Sequence, residues 1–167
     1  RTHLIPDATG TKAGLVAQIG PDKPGGLVLS AHTDVVPVEG QNWSSDPFKL
    51  AKRGNRFFGR GTADMKGFIA CVLAEASTCS SKAFNHPLTI VLSYDEERGC
   101  LGIRQMAPHL PALLGQPRLC IVGEPTNMGV AIGHKGKVVW QAICHGQTGH
   151  SAMAPNYCNA LHLAADL

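Results

Sequence analysis

Asp95-Glu96-Glu97 puts three carboxylates in a row, just after the apolar, β-branched run Leu88-Thr89-Ile90-Val91-Leu92. Such a run reads as a buried strand. Carboxylates this close repel one another, and burial raises their pKa values unless a cation compensates. A metal ion would supply that compensation and leave one carboxylate free as a base. A solvated acidic strand end is the plain alternative. On extended backbone, neighbouring side chains point to opposite faces, so Glu96 and Glu97 need not share a task. Three other strands or extended pieces end in groups that bind hard or borderline cations: His32 with Asp34, Asp64, and Glu124. Six of the twelve acidic residues (Asp34, Asp64, Asp95, Glu96, Glu97, Glu124) fall in these four places, a concentration that a random scatter over loops would rarely give. Nitrogen and oxygen ligands without thiolate suit zinc and accommodate cobalt or manganese. Each residue also has a simpler reading. Asp64 could be a helix N-cap. His32 could be a buried histidine bonded to Asp34, although a metal-binding imidazole needs just such an orienting partner. Glu124, before Pro125, could face solvent, and His150 could belong to a glycine-rich turn, Gly146-Gln147-Thr148-Gly149-His150-Ser151-Ala152.

The elements that would hold these residues follow from periodicity. Apolar runs at 14–19 and 27–31, separated by Gly20-Pro21-Asp22-Lys23-Pro24-Gly25-Gly26, predict a β-hairpin with a long loop. Phe57-Phe58 begins a short extended piece that runs into Gly59-Arg60-Gly61-Thr62-Ala63-Asp64. Met65, Phe68, Ile69, Val72, Leu73 and Ala76 recur at spacings of three and four, which predicts an amphipathic helix over 65–78 with Asp64 as its N-cap. A strand over 88–92, a helix over 101–114 interrupted by Pro108 and Pro111, and a strand over 119–122 follow. This alternation is that of an α/β sheet with helices on its faces. Ligands of open α/β sheets collect beyond the carboxyl ends of the strands, so the four motifs could converge on one crevice. After Asn127 the pattern changes. Val130–Ile132 and residues 138–143 flank Gly133-His134-Lys135-Gly136, which predicts a hairpin in a second unit, and a helix is expected from about Asn159. The expected division is therefore 1–127 and 128–167.

Composition narrows the partners. The chain of 167 residues is 44% hydrophobic and 16% charged, enough apolar material for a core. Aromatics at 5% argue against stacking platforms for single-stranded nucleic acid, and a net charge of +3 without a basic stripe argues against nucleic acid generally. No apolar run approaches the roughly 20 residues of a membrane span. The six cysteines form no Cys-x-x-Cys pair, and no export signal is visible, so a reducing, cytoplasmic compartment is expected. The first residue is Arg1 rather than Met, so a fragment of a longer protein is expected. Gly59-x-Gly61-x-x-Asp64 begins like a dinucleotide fingerprint, but an acid at the third glycine position would repel a pyrophosphate. Neither a P-loop nor a Gly-x-Ser-x-Gly elbow is present.

Taken together, Ser30-Ala31-His32-Thr33-Asp34-Val35-Val36-Pro37, Gly59-Arg60-Gly61-Thr62-Ala63-Asp64-Met65-Lys66-Gly67, Asp95-Glu96-Glu97 and Gly123-Glu124-Pro125-Thr126 resemble the M20 family of zinc-dependent metallopeptidases and deacylases. Gly149-His150-Ser151-Ala152 matches that family's lid-domain motif. Gly-Glu-Pro-Thr followed by Gly133-His134-Lys135-Gly136 is most similar to the acetylornithine deacetylase branch, which serves arginine biosynthesis. The resemblance implies a mixed, largely parallel sheet with helices on both faces, followed by the start of a smaller α+β lid and dimerisation domain. It implies two zinc ions per subunit, with cobalt as a substitute. His32 and Glu124 would hold one zinc and Glu97 the other, with Asp64 bridging and a cis peptide after it. Asp34 would orient His32, and Glu96 would be the general base. His150 would reach the neighbouring subunit's site, which implies a homodimer acting on a small N-acyl amino acid. A last histidine ligand is expected beyond residue 167. Within the family a succinyl-diaminopimelate desuccinylase, another N-acyl amino acid hydrolase or an exopeptidase is the alternative. Outside enzymes, the alternative is a metal-binding or dimerising module that has lost its chemistry.

Overall fold

The computed structural model describes residues 1–79 and 84–167. They divide into two compact units, Arg1–Gly129 and Val130–Leu167. The first is built on a five-stranded sheet. In chain order its strands are β1 (Thr2–Pro6), β2 (Ala13–Ile19), β3 (Leu27–His32), β6 (Leu88–Ser93) and β7 (Leu119–Val122). Across the sheet the order is β1-β2-β6-β3-β7. A small antiparallel pair, β4 (Ala51–Arg53) and β5 (Arg56–Phe58), stands apart from it. The helices are α1 (Gly67–Cys79), α2 (Leu101–Met106) and α3 (Leu110–Leu114).

β6 sits at the centre because its run is apolar on both faces, as strands covered by helices require. Val91 faces one core with Ile5, Val16, Val28, Tyr94 and Met106, against which α2 and α3 pack Ile103, Leu110, Leu113 and Leu114. Ile90, its neighbour in sequence, faces the other core with Val72 and Ala76 of α1. The period-two alternation thus gives each face its own helical cover. β6, β3 and β7 run parallel, while β1 and β2 form an antiparallel wing. The sheet is mixed, with helices on both faces.

Two expectations change here. Residues 14–19 and 27–31 form strands but not a hairpin, because β6 lies between β2 and β3 and pairs with both. A central strand buried on both faces displaces the local partner. The helix expected over 65–78 also starts later. Thr62–Lys66 is a wide helical turn in which Asp64 (φ −123°, ψ 97°) and Met65 (φ −136°, ψ 28°) are not helical, and the Asp64–Met65 peptide is cis. Asp64 therefore caps nothing. Pro108 lies in the break between α2 and α3, and Pro111 sits in the first turn of α3, where a missing N–H costs nothing.

The second unit holds a 3₁₀ turn (Ser151–Asn156) and α4 (Ala160–Ala165), whose N-cap Asn159 accepts from the Leu161 amide at 2.9 Å. The hairpin expected between 130 and 143 is not formed. Val130 and Ile132 are almost fully exposed, and no strand forms there. The six cysteines are all free thiols, and no described helix is long and apolar enough to cross a membrane.

Gly102, buried in α2, offers a test of the packing. A Cβ there would lie 1.9 Å from the Tyr94 carbonyl oxygen, which is backbone and has little room to move. Helix propensity alone predicts that Gly102→Ala stabilises by about 1 kcal/mol. The contact predicts the opposite sign, a loss of about 1–3 kcal/mol. A urea midpoint for the full-length protein decides between them.

Candidate metal centre

The parallel register gathers the acidic loops. His32 pairs with Ser93 across β3 and β6, and Ser30 with Val122 across β3 and β7. Glu124, two residues past Val122, is thereby level with His32, while Asp34 and Glu96 emerge just beyond the neighbouring strand ends. Close approach at β7 needs Gly123, where a Cβ would lie 2.2 Å from the Phe68 ring. Asp64 arrives from the other side, on the turn before α1.

His32 is the pivot. It is 2% exposed, and its backbone N–H reaches the sulfur of Met65 at 3.4 Å, with Met65 itself fully buried. Its Nδ1 lies 3.0 Å from the Asp34 carbonyl oxygen, which can only accept, so the network assigns the proton to Nδ1. Nε2 then faces carboxylate oxygens, Asp64 Oδ1 at 3.0 Å and Glu124 Oε1 at 3.9 Å. Lone pair meets lone pair there unless a proton or a metal cation stands between them. Burial pulls the His32 pKa down, but the bond to Asp64, the Asp34 carbonyl and the charges of Asp34 and Glu124 outweigh it, and the net shift is upward.

Asp34 works on both sides of this pivot. Its Oδ1 lies 3.4 Å from His32 Nδ1. The same carboxylate accepts the backbone N–H of Glu96 at 3.0 Å and of Glu97 at 3.1 Å, one on each oxygen. These charge-assisted bonds fix the loop that carries both acids. The Glu96 carboxylate also accepts a long bond from the Cys100 thiol at 3.4 Å, and the Glu96 carbonyl accepts the Cys100 amide at 2.8 Å. Burial, then the Glu96 bond, pushes the Cys100 thiol up.

Two sets of donor atoms each lie within 4.8 Å of one another: His32 with Asp64 and Glu124, and His32 with Glu96 and Glu97. Burial, then the charges of Asp64 and Glu96, raises the Glu97 pKa; burial, then Asp64, raises that of Glu124. An imidazole nitrogen aimed at several carboxylates, two of them in the cluster raised in pKa, is a donor set that a hard or borderline divalent cation fits. A recess of about 230 Å³ opens beside Asp64 and Glu97, walled by Val36, Trp43 and Arg60. A larger hollow of about 550 Å³ lies at the opposite ends of the parallel strands, around Leu27, Leu88 and Leu119, and no acid lines it.

Six of the seven residues singled out from sequence meet at this one sheet edge. His150 belongs to the second unit, where it caps the 3₁₀ turn and its Nδ1 accepts the Ala152 amide at 3.2 Å. Sequence reasoning missed the Met65 sulfur beneath His32, the Cys100 thiol on Glu96, and a bond from Lys12 to Asp95. The Met65 and Lys12 contacts join residues far apart in the chain and carry no local pattern, while Cys100, four residues from Glu96, offers no signal that its thiol turns to that carboxylate.

A sign reversal with pH and metal follows for Glu97→Gln. Glu97 has a folded pKa above its usual 4.5, so in metal-free protein its ionised form costs stability as pH rises through that folded value. After chelation the Gln variant is expected to melt higher than wild type at pH 7, with the gap closing as pH falls below the usual carboxylate value. With divalent cation added the order inverts, because Gln offers no anionic oxygen. Thermal melts of the full-length protein at both pH values, with chelator and with zinc, check this.

Comparisons with known proteins agree with this geometry. Residues 28–163 match the sequence profile of Peptidase family M20/M25/M40. Acetylornithine deacetylase of Vibrio vulnificus is 40% identical over 152 residues, which cover 91% of this chain and 39% of that protein. The chain thus spans about two fifths of the length of the curated relatives it matches. Among solved structures, human carnosine dipeptidase 1 superposes with a TM-score of 0.63 at 18% identity, covering 87% of this chain and 32% of that one. The M20 family metallo-carboxypeptidase Sso-CP2 of Sulfolobus solfataricus gives 0.61 at 21% identity, covering 74% and 28%. At these identities the two structures speak for the fold. The profile match, running from β3 to α4 and through every motif of the strand-end cluster, settles the family: the chain belongs to Peptidase family M20/M25/M40.

Proposed function

We propose that the whole protein is a metal-dependent hydrolase that removes the acetyl group from N2-acetyl-L-ornithine to give ornithine and acetate. The observation that carries this reading is the gathering, at one end of the parallel strands, of His32 with Asp64 and Glu124 and of His32 with Glu96 and Glu97, the donor atoms of each set within 4.8 Å of one another. The similarity to acetylornithine deacetylases supports the substrate. Glu124 in its Gly-Glu-Pro-Thr run leans the same way.

In this reading His32 and Glu124 would hold one zinc and Glu97 a second, with Asp64 serving both; a histidine expected elsewhere in the whole protein would complete the set, and cobalt could substitute. When bound, the metal pair would lower the pKa of a water toward about 7 and draw charge from the scissile carbonyl. The protein's own groups do the rest. Asp34 keeps the His32 proton on Nδ1 and holds Glu96 and Glu97 by their amides, so two carboxylates adjacent in sequence take different tasks. Glu96 moves the proton: its carboxylate takes one from the attacking water and returns it to the departing α-amine as the amide C–N bond breaks. A base placed in this way contributes about 10²- to 10⁴-fold. Residues 128–167 begin the lid, through which two subunits pair, and His150 stabilises the oxyanion in the partner's site. The apolar side chains of Val130, Ile132 and Trp140 give that segment surface to bury. The compartment is the cytoplasm.

Glu96 also stands within ligand distance of His32 and Glu97, so its role needs separating from theirs. Glu96→Ala in the full-length protein is expected to keep zinc and lose turnover by about 10²- to 10⁴-fold, whereas Asp64→Ala loses zinc as well. Equal zinc loss in both would make Glu96 a ligand. Zinc-dependent release of acetate from N-acetylornithine, well above release of succinate from N-succinyl-diaminopimelate, supports the substrate. The reverse preference would move the substrate and keep the mechanism. No metal-dependent turnover on either, or on a wider panel of acyl amino acids, would favour a module without catalysis.

A further inference from the structure

Lys12 lies in the turn between β1 and β2, 83 residues from the acidic triplet, yet its ammonium meets both carboxylate oxygens of Asp95, at 2.7 and 2.6 Å. The lysine is held ready for this contact. Its backbone N–H donates to Asp7 Oδ1 at 3.1 Å, its carbonyl accepts the Asp7 amide at 2.8 Å, and the Thr9 hydroxyl donates to Asp7 Oδ2 at 2.7 Å. Asp95 in turn is the hinge of the loop. It leaves β6 with φ +50°, a left-handed conformation uncommon for a residue with a Cβ. That turn swings the next two amides toward Asp34. Just before it, Tyr94 is anchored in the core and donates its hydroxyl to Gln105 at 2.8 Å.

We propose that Lys12 and Asp95 form a positioning pair that sets the geometry of Glu96 and Glu97. The inference rests on the reading of Glu96 as base and Glu97 as metal ligand. Three consecutive carboxylates would otherwise spread apart, and Lys12 neutralises the first and draws it away from the site, toward the β1–β2 turn. Asp34 holds the loop from the inside and Lys12 from the outside. The pair is worth little to global stability, because it is partly exposed to solvent. Its effect falls on placement.

Lys12→Met in the full-length protein keeps the stem and removes the charge. It is expected to lower kcat about tenfold and weaken zinc binding about tenfold, the lower end of what losing an orienting partner costs. KM should stay within about twofold, and the urea midpoint should barely move. Asp95→Asn gives the same loss, Lys12→Met with Asp95→Asn gives no more than either alone, and Lys12→Arg restores both readouts. Unchanged kcat and zinc affinity in Lys12→Met would overturn the proposal, as would losses that add in the double variant or merely follow the unfolded fraction. If the wild type turns over no substrate, the function reading fails, and zinc affinity still decides the positioning claim. If Glu96→Ala abolishes turnover while Lys12→Met does nothing, the function stands and the positioning claim falls.

Discussion

Five carboxylates, those of Asp34, Asp64, Glu96, Glu97 and Glu124, surround one buried imidazole at the edge of the sheet, and everything near them serves to contain their mutual repulsion. Asp34 spends its charge on two backbone amides. Asp95, the sixth acid of the four motifs, is turned outward to Lys12. What remains are Asp64, Glu96, Glu97 and Glu124 around the His32 ring, where burial and like charge keep the Glu97 and Glu124 pKa values up. In the proposed reading a pair of divalent cations supplies the missing charge, so the repulsion becomes the source of metal affinity.

The fold makes this arrangement with little local invention. Three parallel strands of nearly matched register end at one level, and the residues just after each end are the ones that bind or orient. The two apolar faces of β6 anchor the sheet to α1 on one side and to α2 and α3 on the other. The acidic loop after it is therefore attached to a strand packed on both faces. A site on rigid strand ends can hold carboxylates closer than a mobile loop could.

The sequence made the strand ends legible because each is written locally: an apolar run, then ligand-type residues. That was enough to name His32, Asp34, Asp64, Glu96, Glu97 and Glu124, which share the site. Strand partners were not legible. The pairing of β2 and β3 looked local because glycines and prolines separate them, and nothing nearby reveals that a strand some 60 residues later inserts between them. Asp64 resembled an N-cap because it precedes the periodic residues of α1, but it stands on non-helical backbone and reaches back to His32. The alternation in 130–143 predicts a hairpin, but a pattern reports which residues could pair and not which do. Long-range polar pairs such as Lys12–Asp95 carry no periodicity at all.

In the proposed reading the strand-end acids form a cation site whose protons are displaced by metal. Isothermal titration of zinc into chelated full-length protein at pH 6, in two buffers of different ionisation enthalpy, tests it directly. Saturable binding that releases protons, and that is lost in Asp64→Ala, is the predicted result, because His32, Glu97 and Glu124 hold their protons more tightly than usual. Zinc binding that Asp64→Ala leaves intact, or no saturable binding, would contradict the account.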